Sequence, residues 1–242
     1  MLMILLGFLP AILLLIFVCY RDRQQPEPLS RLLLGVGYGV LSIILTFVFV
    51  GIMHLFRPPL DQLPVIGNIF VAFYDAAIPE ESAKLLMLWL LLRRNPYFDE
   101  HLDGIIYAVC VGMGFAAFEN VGYLFSNQDT WLEVAVARAL LAVPGHYAFA
   151  VLMGFFYSLV HFYPARYRKY RYLVWLAPVM AHGIYDSLCF LTDGLPVLSG
   201  VITLFLYFFC YLMHRFCLRR ITNLQLLDQD RKDLDAFSQA MR

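Results

Sequence analysis

Seven predominantly apolar stretches separated by short polar runs set the layout of this chain. They cover about residues 1–20, 32–56, 66–92, 104–125, 138–161, 173–191 and 197–214. Each approaches the roughly 20 residues that a helix needs to cross about 30 Å of hydrocarbon. The pattern predicts an all-α, polytopic membrane protein with about seven transmembrane helices. The first stretch has no basic segment before it and no small-residue cleavage pattern after it, so it reads as an anchor rather than a removable signal. Pro58 and Pro59 end the second stretch. Residues 126–137 read as a loop with a surface helix, and the charged tail as a short amphipathic helix. The division that follows is 1–65, two N-terminal helices; 66–214, a membrane core; and 215–242, a tail.

Composition agrees with this layout: 61% of the 242 residues are hydrophobic and 15% charged. The formal net charge of zero gives no indication of a nucleic-acid partner, but the positions of the charges are informative. Of the 18 Lys and Arg residues, fifteen follow the first, third, fifth and seventh stretches. Because cytoplasmic loops carry the excess of these residues, the N-terminus is expected outside and the C-terminus in the cytoplasm. The five cysteines form no Cys-x-x-Cys pair, which argues against a disulfide framework or a thiolate zinc site.

Against this apolar background, ionisable residues inside the spans stand out. The third stretch carries Glu80, Glu81 and Lys84, the fourth Glu119, the fifth His146, and the sixth His182 and Asp186. At 1.5 Å rise per residue, all fall between the midplane and the outer third of the bilayer. Charges at that depth are costly and normally face a protein interior or a wet cavity, so one shared cavity is expected. Helical spacing brings Glu80 within reach of Lys84 and His182 over Asp186. Glu81 points about 100° from Glu80, so one glutamate is expected on Lys84 and the other in the cavity, with the assignment open. Phe115 lies one turn from Glu119. Pro79, Pro144 and Pro178 precede the polar groups, and each releases a backbone carbonyl. Ala108, Gly112 and Ala116 form a small-residue stripe suited to close helix packing.

Without a Ser-His or Cys-His arrangement, these residues suggest an activated water as nucleophile, with a desolvated carboxylate as general base and a histidine donating to the oxyanion. A second arrangement places a divalent metal on some of Glu119, His146, His182 and Asp186, although no His-Glu-x-x-His is present. The same groups also suit a proton or ion pathway, a reading weakened by the absence of an internal repeat.

Glu80-Glu81-x-x-Lys84, Phe115-x-x-x-Glu119 and His182-x-x-x-Asp186 together resemble the motif series of the PrsW-type intramembrane proteases, distant relatives of the CAAX prenyl endopeptidases. The resemblance covers about 75–190. Prenyl endopeptidases carry Arg, His and Asn where this chain has Lys84, Glu119 and Asp186, a departure that argues against a prenylated substrate. The resemblance implies a multi-pass protein of the cell membrane that cleaves a single-span membrane protein, in that family a membrane-anchored anti-sigma factor cut on its extracytoplasmic side in stress signalling. It further implies Glu80, Glu81, Glu119 and His182 as catalytic residues, with Lys84, His146 and Asp186 supporting them. It leaves open whether a single Zn2+ ion takes part.

Overall fold

The computed structural model describes residues 1–61 and 64–240, which form ten α-helices and, among the described residues, no strand. These are α1 (Leu2–Arg21), α2 (Leu29–His54), α3 (Pro64–Val71), α4 (Ile78–Leu92), α5 (Asp103–Ser126), α6 (Trp131–Ala137), α7 (Val143–Phe162), α8 (Pro164–Tyr167), α9 (Leu173–Gly194) and α10 (Ser199–Ala240). Among the described residues, six helical stretches are long and apolar enough to cross a membrane. The seventh expected span runs from α3 to α4 and carries Asp75, Glu80, Glu81 and Lys84, which set it apart in composition. Where a separate surface helix is expected, α6 continues through a π turn into α7, so that Trp131–Phe162 is one helical stretch.

Helix α5 is the centre of the bundle. Its residues from Asp103 to Ala117 are all buried, and α1, α2 and α7 pack along it. Small residues make such close approach possible. A Cβ on Gly39 of α2 would stand 2.1 Å from the Val111 carbonyl oxygen, and one on Gly112 would stand 2.7 Å from the Ala150 Cβ of α7. The backbones therefore touch where larger side chains would hold them apart. Ile105, Ile106, Val109, Met113, Phe149 and Val151 fill the interior. Leu41 and Phe47 of α2 and Leu204 and Phe208 of α10 face outward, as lipid-facing residues do.

Two π-helical turns, Ala72–Ala77 and Arg138–Ala142, interrupt the helices that carry the polar residues. Each ends two residues before a proline, Pro79 and Pro144 respectively. Proline cannot donate to the carbonyl four residues back, and its ring crowds that carbonyl. Widening the preceding turn relieves the clash and changes the phase of the helix that follows, which sets the direction of Glu80, Glu81 and His146. Pro178 differs in lying within the regular helix α9.

The tail departs from expectation. It continues the last span as one helix, and its polar part packs back on two loops. Arg21 Nη2 donates to Gln225 Oε1 at 2.5 Å, while Asp228 accepts from the backbone N–H groups of His101 (2.8 Å) and Leu102 (3.0 Å). Once those loop amides had no partner of their own, a carboxylate on the neighbouring helix became the favourable way to satisfy them.

Candidate active site

Helix α4 contributes a triad of charges. Lys84 Nζ donates to Glu80 Oε2 at 3.1 Å and to Glu81 Oε1 at 2.9 Å, and lies 3.2 Å from His146 Nδ1. The expectation that Lys84 would hold only one glutamate is corrected here, because an i+3 and an i+4 neighbour both come within reach of a long, flexible ammonium. The Phe115 ring lies under the same ammonium, with its centroid 3.8 Å from Nζ.

The two histidines arrive from α7 and α9, each with one nitrogen facing this group and the other on a carboxylate. His182 Nδ1 is 2.9 Å from Glu81 Oε1, while its Nε2 is 3.1 Å from Asp186 Oδ2. His146 turns Nδ1 toward Lys84 and places Nε2 2.9 Å from Glu119 Oε2. Glu119 is fixed in turn by Arg138 Nη2 at 2.6 Å, and Arg138 Nε donates to Asn120 Oδ1 at 2.8 Å. Phe149 stacks on His182 at 4.7 Å between ring centroids. All seven ionisable residues singled out in the sequence thus belong to one connected network.

Exposure within the network is graded. The Glu81 side chain is 1% exposed, whereas Glu80, Asp186 and Glu119 reach 12%, 16% and 20%. Glu80, Asp186 and Glu119 are therefore the more accessible members of the network. Arg138 and Phe149 were missed in the sequence. An arginine at the first residue of a span has an ordinary interfacial explanation, and one phenylalanine among 21 carries no signal of its own.

Ligand atoms of Glu80, Glu81, His146 and His182 lie within 4.8 Å of one another. This set shares both histidines with the ligand set read from the sequence; Glu119 and Asp186 instead occupy the far nitrogens. The donor types are those that bind metals, and an ion here would take the place that the Lys84 ammonium holds against Glu80, Glu81 and His146. Two imidazoles and carboxylate oxygens converge, Glu81 Oε2 is buried without a hydrogen-bond partner, and the far nitrogens are held by carboxylates, as in many metal-binding histidines.

Residues 27–213 match the PrsW family of intramembrane metalloproteases. The chain belongs to that family. Protease PrsW of Geobacillus kaustophilus (strain HTA426) is 33% identical over 201 residues, covering 83% of this chain and 85% of the relative. Protease PrsW of Clostridioides difficile (strain 630) is 33% identical over 195 residues, covering 75% and 76%. That of Bacillus subtilis (strain 168) is 33% identical over 181 residues, covering 74% and 79%. No solved structure matches the chain. As a PrsW-family protein with six apolar membrane-crossing stretches among the described residues, it is a multi-pass membrane protease that acts on a membrane-bound protein substrate.

Proposed function

We propose that this PrsW-family protein hydrolyses a peptide bond of a single-span membrane protein, with Glu80 taking the proton from the attacking water. The observation that carries the reading is the convergence of Glu80, Glu81, His146 and His182, with each histidine steered by a carboxylate on its far nitrogen. Glu80 is the base because, among the described residues, Lys84 alone hydrogen-bonds it and its side chain is the more exposed, whereas Glu81 Oε1 is held by both Lys84 and His182.

In this reading Glu80 accepts a water proton as the hydroxyl oxygen bonds to the carbonyl carbon. Negative charge moves to the carbonyl oxygen, where the Lys84 ammonium, relieved of Glu80 as that carboxylate takes up the proton, compensates it. Collapse of the adduct breaks the C–N bond, and the proton held by Glu80 passes to the departing amine. Asp186 and Glu119 keep the two imidazoles oriented throughout. A Zn2+ ion would be held by Glu81, His146 and His182, the most buried of the four converging groups; when bound it polarises a carbonyl and acidifies water.

The resemblance of the motif series to PrsW-type proteases supports a membrane-anchored anti-sigma factor as substrate. The Lys and Arg distribution supports a site open toward the extracytoplasmic side. Co-expression with a panel of single-span substrates tests the reading: Glu80→Gln should abolish cleavage while the protein still accumulates and melts cooperatively. Cleavage by Glu80→Gln at the wild-type rate would remove Glu80 from the mechanism.

A further inference from the structure

At the opposite end of the bundle from α3, where the α1–α2 loop, the α4–α5 loop and the α10 tail meet, lies a second group of carboxylates. Asp22, Glu100 and Asp103 are all buried, and each offers an oxygen within 4.8 Å of the others. Glu27 joins them: its carboxylate meets Asp103 and accepts from the Tyr107 hydroxyl. Among the described residues, the one ion pair these four carboxylates make is Lys232 Nζ to Glu100 Oε1, at 2.6 Å. Arg21, the nearest other cation, turns its guanidinium to Thr222 and Gln225. Fully ionised, the cluster would carry three negative charges more than this one ion pair neutralises.

Asp103 points to what is missing. It is 0% exposed, and its Oδ2 accepts from the backbone N–H groups of Asp99 (3.0 Å) and Glu100 (2.6 Å). Its Oδ1 is buried with no hydrogen-bond partner, in a side chain that lies among Asp22, Glu27 and Glu100. A lone pair buried without a donor among other carboxylates is unfavourable unless a cation is supplied. Burial, then the neighbouring Glu27 and Glu100, push the Asp22 carboxyl up to about 7. A cavity of about 280 Å3, lined by Asp22, Glu100, Gln25, Gln225 and Lys232, borders two of these carboxylates.

We infer that Asp22, Glu100 and Asp103 form a binding site for a hard divalent cation, Mg2+ or Ca2+. The donors are all oxygen, the chemistry that selects these ions over zinc or copper, and the cavity leaves room for the coordinated waters that Mg2+ keeps. The ligands come from the α1–α2 and α4–α5 connections, and Lys232 brings α10 to the same point. A bound cation would fasten the α1–α2 and α4–α5 connections to each other, in competition with the Lys232 ammonium. The Lys and Arg distribution places this end in the cytoplasm. The site is separate from the catalytic group, which contains histidine.

The test uses the full-length protein in detergent, stripped with chelator and titrated separately with MgCl2 and CaCl2, following bound ion and melting temperature. One equivalent should bind at millimolar or lower concentration and raise the melting temperature. Asp22→Asn and Glu100→Gln, which keep shape and remove charge, should each weaken binding at least tenfold. Lys232→Met, which removes the competing ammonium, should strengthen it severalfold. The last variant separates cation binding from general damage, since damage would not tighten a site. Absence of any bound equivalent at millimolar ion in wild type, or binding unchanged in both carboxamide variants, would overturn the inference in favour of carboxyls that share protons.

Discussion

Lys84 Nζ stands 3.8 Å from the centre of the Phe115 ring, the fourth side of an ammonium otherwise surrounded by Glu80, Glu81 and His146. A desolvated cation–π contact of this kind contributes about 2 kcal/mol. Replacing Lys84 with Met leaves two buried carboxylates uncompensated, a loss of about 3–5 kcal/mol. Lys84→Met should therefore lower the melting temperature sharply, and Phe115→Leu should lower it by less. Thermal unfolding in detergent checks the order. Equal losses would mean that the ring rather than the charges holds the lysine.

Arg138 fixes Glu119, and Glu119 fixes His146. Because Arg138 uses Nη2 on Glu119 and Nε on Asn120, a lysine cannot reproduce its fork. Arg138→Lys should therefore fail to restore cleavage lost in Arg138→Met. Groups that orient a metal-binding or catalytic histidine typically matter by about 10–100-fold, and Glu119→Gln should fall in that range. Cleavage rates measured alongside melting temperatures separate a positioning effect from unfolding; wild-type activity in Arg138→Lys would contradict this assignment.

The contact between α5 and α7 at Gly112 predicts a compensating pair. Gly112→Ala places a methyl 2.7 Å from the Ala150 Cβ, and overpacking of this kind costs about 1–3 kcal/mol. Ala150→Gly in the same chain should recover most of the loss. A double-mutant cycle on thermal stability reads the coupling, and strictly additive losses would show that the two residues do not meet.

Much of this arrangement was legible in the sequence because lipid makes polar residues conspicuous. Glu80, Glu119, His146 and His182 stood out at similar depths, and the apolar runs gave the helices. What could not be read depended on phase and on partners distant in sequence. The π turns before Pro79 and Pro144 shift helical facing without leaving a residue pattern, so the direction in which Glu80, Glu81 and His146 point could not be read; the sharing of Lys84 lay within helical spacing, at i+3 and i+4, but reads in sequence as a choice of one glutamate. Arg138 and Asp22 acquire their significance from side chains on other helices. The return of the tail onto the loops depends on Asp228 meeting the His101 and Leu102 amides, which sequence spacing does not encode.

The central claim, that Glu80 activates water beside Glu81 and the two histidines, is tested most directly by single-turnover cleavage of a single-span substrate with purified protein in lipid. Wild type, Glu80→Gln, Glu81→Gln and His182→Ala should be compared, with bound zinc quantified in the same samples. The account predicts that all three variants lose cleavage, and that any zinc bound by wild type is retained by Glu80→Gln and lost by Glu81→Gln and His182→Ala. Cleavage by Glu80→Gln at the wild-type rate would contradict it. So would an inactive wild type whose proteoliposomes show a proton flux that the variants lack.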